Sequence, residues 1–152
     1  MILETCFQYR NLDKEKGMLM MSEASMEALS VFAEAAQDLV TAGLEVAIER
    51  FFICADFCNQ SAEKSVQSVS LQQLGHKQSY SHDLRSLGDA VHAPEKILQA
   101  LAELTPFHPE IFYAQYPSEI ADDHVSFETA QHLQAQSRLI LDWARSIVVA
   151  GA

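Results

Sequence analysis

Phe51–Leu74 reads FFICADFCNQSAEKSVQSVSLQQL, and this stretch decides the architecture. Phe51, Ala55, Cys58, Ala62, Val66 and Val69 recur at three- and four-residue steps, which makes one apolar stripe along a long helix. Several of these side chains are small, and small residues let neighbouring helices approach closely. The pattern therefore predicts a helix at the centre of a bundle rather than on its rim. Beside the stripe, Asp56, Gln60 and Lys64 follow at one-turn intervals, with Asn59 and Glu63 one position behind. A polar edge on a central helix is where a site is expected.

Upstream, Ser22 is a capping residue, and Met26, Leu29, Ala33, Ala36 and Val40 continue at helical spacing. Val46 and Ala47 stay in phase beyond Gly43, so one helix is predicted over about residues 22–48, with Gly43 as the place for a kink. The chain must then reverse near residues 49–50, although no turn-forming residue marks the spot. Residues 1–21 read as an N-terminal extension, either a short helix and a loop or a partly disordered tail. The bundle proper is expected over residues 22–149.

Downstream, Gly75 ends the central helix and GHKQSYSHDL reads as a loop. Ser81 is a candidate cap for a short helix through Leu84, Leu87 and Val91. Pro94 suits the first position of an amphipathic helix carrying Ile97, Leu98, Leu101 and Leu104. The segment TPFHPEIFYAQYPSEIADDHVS follows, with three prolines and the aromatics Phe107, Phe112, Tyr113 and Tyr116. It describes an ordered aromatic connection. The last helix starts at Asp123 or Ser126 and is expected to turn Phe127, Ala130, Leu133, Ile140, Ala144 and Ile147 inward, widened by Leu141 and Trp143. No strand pattern of convincing length appears. The predicted fold class is all-α, an antiparallel helical bundle of four main helices plus one or two short ones.

Charge limits function more than length does. The 152 residues carry 21 acids and 10 bases, a net charge of −11. From Lys96 to Arg138 no Lys or Arg intervenes, while Glu103, Glu110, Glu119, Asp122, Asp123 and Glu128 all fall inside. Nucleic-acid backbones are held by Lys and Arg that release counterions, so broad nucleic-acid binding by this chain alone is not expected. Cys6, Cys54 and Cys58 make an odd count, and Cys54 and Cys58, one turn apart, suit buried thiols in a reducing cytoplasm. No apolar run is long enough to span a bilayer, and no basic segment followed by a hydrophobic run opens the chain. Neither a membrane span nor secretion is expected.

The candidate chemical residues each have two readings. His82 is either a phosphate ligand or acid–base group near Lys64, or a capping residue with Asp83 beside it. Lys64 either pairs along its own helix or meets a phosphate or a partner's carboxylate. Metal-independent RNA cleavage can combine an arginine for phosphate charge with a histidine for proton transfer; Arg85 and His92, seven positions apart with Gly88 between, are close enough in sequence to suggest such a pair. Tyr113, Tyr116 and His124 either ring a pocket mouth or pin the loop to the bundle. No glycine-rich phosphate loop, nucleophile elbow or HExxH segment is present, and no His or Cys pair completes a known metal spacing. No cofactor and no metal are expected.

These residues also resemble a family pattern. Asp38, Leu39 and Ala42 begin it, and CNQSAEKSVQ strengthens it through Gln60, Ala62, Glu63 and Lys64. HDLRSL from His82, YAQYP from Tyr113 and Trp143 in the last helix complete it. The chain resembles a HEPN domain over residues 34–149. The resemblance implies a helical bundle that commonly dimerises and is often encoded or fused beside a minimal nucleotidyltransferase. Family members include toxin ribonucleases of toxin–antitoxin pairs and non-catalytic members thought to bind nucleotides or partner proteins. The ribonucleases carry an arginine and, a few residues on, a histidine late in the domain. Here Gln115 stands where similar chains have arginine, His124 lies too far along, and Arg85 with His92 comes too early. The expected function is thus a non-catalytic protein that dimerises and binds a nucleotide or a nucleotidyltransferase near Gln60, Lys64, His82 and Tyr116. The alternatives are a toxin-type ribonuclease and an acidic scaffold without a ligand.

Overall fold

The structure is a computed structural model that describes residues 22–79 and 82–151. The readings of residues 1–21 and of Ser81 as a cap fall outside them. The described residues are helical, with no strand among them.

Helix α1 (Glu23–Ala47) starts where Ser22 accepts the Ser25 amide on its hydroxyl at 3.0 Å, and Gly43 does not interrupt it. The chain reverses through Ile48, Glu49 and Arg50. Glu49 takes the left-handed conformation with φ 63°, a turn made by a residue type that gives no warning of it. The Arg50 amide bonds back to the Glu45 carbonyl at 3.0 Å, and its guanidinium meets the Glu45 carboxylate at 3.2 Å. Helix α2 (Phe51–Leu74) then runs back along α1 and ends at Gly75, whose φ of 81° places it in the left-handed region that glycine tolerates best.

The central helix is where the periodicity puts it. Ala55, Cys58, Ala62, Val66 and Val69 are completely buried, although Phe52, rather than the half-buried Phe51, fills the core at its start. From Ser65 onward burial becomes continuous through Leu71, as only a helix packed on all sides shows. Its serines survive there because each hydroxyl bonds to a nearby carbonyl. Ser61 donates to Ala35 across the α1 contact, Ser65 to Ser61 and Ser68 to Ser65, each at 2.7 Å. Cys54 and Cys58 are buried free thiols, and hydrogen bonding to Cys54, then burial, pushes the Cys58 thiol upward.

On α1 the expected phase is wrong. The inward residues are Ala28, Val31, Ala35, Leu39 and Ala42, whereas Met26 and Val40 are 54% and 57% exposed. The helix carries apolar stripes on two sides. The one rich in alanine fits against the small residues of α2 and takes the core.

Helix α3 (Leu84–Ala90) is capped by Asp83, which accepts the Arg85 amide at 3.1 Å. Helix α4 (Glu95–Leu104) follows, with Pro94 as its cap rather than its first residue. The four predicted apolar residues of α4 are all buried. A 3₁₀ turn at Thr105–Phe107, the short helix α5 (Pro109–Phe112) and a second 3₁₀ segment at Ser118–His124 make up the aromatic connection. Phe112 packs on Phe52 at 4.3 Å and on Tyr116 at 4.9 Å between ring centres. Asp122 accepts the Phe52 amide at 2.8 Å, supplying α2 with the N-terminal acceptor that Arg50 does not.

Helix α6 (Phe127–Val148) begins at Ser126, which accepts the Thr129 amide at 3.0 Å. Its inner face is Ala130, Leu133, Ser137, Ile140, Ala144 and Val148. Phe127 is 46% exposed and Ile147 only half-buried, so both ends of the expected stripe are corrected. Ser137 takes the middle position because its hydroxyl bonds to the Cys58 carbonyl at 3.0 Å. The long helices α1, α2 and α6 with α4 are the four main elements, and α3 and α5 the short ones.

Candidate functional site

The polar edge of α2 divides between two neighbours. Gln60 donates to Asp56 on its own helix at 2.9 Å. Lys64 turns instead to α1, with its ammonium 2.8 Å from Asp38 and 3.7 Å from Glu34. Lys64 lines a cleft of about 430 Å³ together with Glu34, Glu63, Gln67, Lys77 and Gln78. Lys77 is itself 3.8 Å from Glu27. Two ammonium groups and two carboxylates therefore share the walls, and their charges nearly cancel.

The histidines form a second cluster. His82 Nε2 is 2.7 Å from a Glu110 carboxylate oxygen, and its ring lies 4.1 Å from that of His108, centre to centre. His108 caps α5 by accepting the Glu110 amide on Nδ1 at 3.1 Å. Burial lowers the His108 pKa, and the His82 charge adds to this, against the opposing pull of Glu110 and Asp56. Burial raises both Asp56 and Glu63 above the usual carboxylate range; Lys64, His82 and Lys77 oppose the rise at Glu63. Glu63 thus lies within electrostatic reach of the lysine cleft and of His82. Tyr116 stacks on His124 at 4.0 Å and belongs to the aromatic connection.

The four residues singled out from sequence thus find different partners: Gln60 meets Asp56, Lys64 meets Asp38, His82 meets Glu110 and Tyr116 meets His124. Asp56 and His108 link the Gln60 end of the edge to His82 electrostatically. Sequence reasoning missed His108 and Glu110. The signal was available in HPE, a polar residue followed by Pro and Glu, which is a helix start.

Arg85 forks onto Glu95, with one guanidinium nitrogen 3.0 and 3.2 Å from its two oxygens. His92 sits in a left-handed turn after α3, at φ 56°. The arginine of the candidate ribonuclease pair is held by a carboxylate on the next helix.

The second stripe of α1 faces outward. Met26, Val40, Leu44 and Ile48 are exposed along it, with Ser30, Ala33, Gln37 and Ala47 between, so the row is continuously apolar only from Val40 to Ile48. The helical repeat places Glu23, Glu27, Glu34, Asp38 and Glu45 of α1 on a different side. A groove of about 460 Å³ between α1 and α6 adjoins the stripe, lined by Leu39, Val40, Gly43, Gln131, Gln134 and Arg138.

Comparison with known proteins gives a consistent result. Among solved structures, an archaeal HEPN homologue, ST0689, superposes with a TM-score of 0.69 at 19% identity, covering 80% of this chain and 97% of its own. TT1696 from Thermus thermophilus gives a TM-score of 0.69 at 18% identity, covering 78% and 96%. Among curated proteins no significant match is found. The family model for the HEPN domain matches residues 28–147, most of the chain, and the protein therefore belongs to the HEPN domain family.

Proposed function

We propose that this protein is a non-catalytic HEPN member that acts through protein assembly, pairing first with a second copy of itself. The outer stripe of α1 carries this reading. Single exposed apolar residues are ordinary, but an aligned row of them on a helix is not. With a net charge of −11, two copies repel at long range, so a contact between them must exclude their acids. The outer face of α1, whose acids lie on another side of the helix, suits such a contact, and the same face on both copies would make a two-fold interface. The test is the mass in solution of the wild type and of a Leu44→Glu, Ile48→Glu variant. A wild-type dimer and a folded monomeric variant are expected. A monomeric wild type at high concentration would overturn self-pairing and leave the nucleotidyltransferase as the partner to try by co-expression.

Catalysis on RNA fits less well. Arg50, Lys64, Lys77 and Arg85 are each held by a carboxylate, which leaves Lys96, Arg138 and Arg145 as the other described cations. The purified protein is expected not to cleave RNA. Turnover that disappears on changing Arg85 or His92 would reverse this.

Nucleotide binding is the second reading, favoured by the ligand-sized cleft at Lys64 and Lys77. A phosphate there has to draw Lys64 away from Asp38. Lys64→Ala should weaken ATP binding more than folding; unchanged affinity in a folded variant removes Lys64 from the site.

A further inference from the structure

We propose that His82, His108 and Glu110 form a binding site for a divalent transition-metal ion of the zinc or nickel class. One ligand atom from each lies within 4.8 Å of the other two. Two imidazoles and a carboxylate are the donor set that zinc accepts in three-ligand sites, with the remaining positions left to water. Such ions favour imidazole, whereas magnesium and calcium favour oxygen ligands throughout.

The two contributing segments are held relative to each other. The amide of Leu84, two residues after His82, donates to the Thr105 hydroxyl at 3.2 Å. Thr105 opens the turn that leads directly to His108. The far end of α5 is fixed by Phe112 against Phe52 of the central helix. Fold contacts that do not involve the three side chains therefore bring them together. This is why no metal spacing shows in the sequence: the ligands come from segments on either side of α3 and α4.

The geometry needs a local adjustment. His82 Nε2 and Glu110 Oε2, now 2.7 Å apart, share a hydrogen at a position where an ion would fit once they separate. Two imidazoles on one tetrahedral ion, each with its nitrogen about 2.0–2.1 Å from it, have ring centres roughly 5 Å apart. The two rings, now 4.1 Å apart, have to separate by about 1 Å to share an ion. His108 has one lone pair in its neutral form. An ion taken at Nδ1 displaces the Glu110 amide, and one taken at Nε2 requires the hydrogen to move to Nδ1. Either route gives up the cap of α5, so metal uptake must shift the Glu110 amide.

The test uses the full chain without an affinity tag, stripped by a chelator and titrated with Zn²⁺ by calorimetry. One equivalent should bind, and thermal stability should rise with it. His82→Ala and His108→Ala should each weaken binding about tenfold or more. His132→Ala, which breaks a separate histidine pair with Glu103, should leave it unchanged. Because the alanine variants change packing, the wild type supplies a second readout: Zn²⁺ should move the Glu110 amide resonance. No heat and no stabilisation at millimolar Zn²⁺ would overturn the site, as would binding that survives both histidine changes or leaves Glu110 unmoved.

Discussion

Gly88 shows how much one missing methyl can matter. A Cβ placed there would lie 2.5 Å from Leu101 Cδ1 and 2.9 Å from Leu98 Cδ2, and both leucines are buried with nowhere to go. Gly88→Ala should therefore destabilise the fold by about 1–3 kcal/mol, read as a lower midpoint in denaturant. A variant as stable as the wild type would mean that α3 lifts freely from α4. In the sequence this glycine looked like a break between Arg85 and His92; in the structure it is the point of closest approach between two helices. Asp56 and Glu63 give the opposite sign. Burial raises both carboxyls, so the folded state holds their protons more tightly than the unfolded chain does. Their unfavourable contribution is absent at low pH and grows as pH rises from the unfolded pKa through the folded one. Asp56→Asn keeps an oxygen for Gln60 to bond and should raise the melting temperature near neutral pH but not in acid. Equal effects at both pH values would count against the burial argument. Lys64 was legible as a charged group on the polar edge, but its partner was not. Asp38 lies on another helix, and only the packing of α1 on α2 chooses it over Asp56.

At the level of elements, α2 was readable because small residues and apolar spacing agree along its stripe. Overfilling that stripe is expected to be costly: Ala62→Leu should destabilise by roughly 1–3 kcal/mol or more, with a thermal melt as the check. A neutral result would mean that α1 and α2 are not tightly apposed there. For α1 the same periodic rule found a real stripe and chose the wrong side of the bundle, because spacing detects apolar faces without ranking them. The alanines at 28, 35 and 42 were the deciding residues, since only they match the small residues across the contact. The reversal at Glu49 was unreadable for another reason. A left-handed residue without glycine or asparagine is stabilised by its surroundings, here the Glu45 and Arg50 contacts, and leaves no compositional mark.

For the whole molecule, an excess of eleven negative charges sets the response to salt. Screening should relieve self-repulsion, so moderate sodium chloride should raise the melting temperature; a decrease would show that the ion pairs outweigh the repulsion. The family and helical class were visible from ordered motifs along one chain. The histidine cluster was not, because it comes from segments that only the finished fold makes adjacent. The same fold hides two thiols at mid-bundle, which makes their chemistry a timer. A thiol reagent must wait for the helices around Cys54 and Cys58 to part, so in a Cys6→Ser background its rate of reaction reports how often the bundle breathes open.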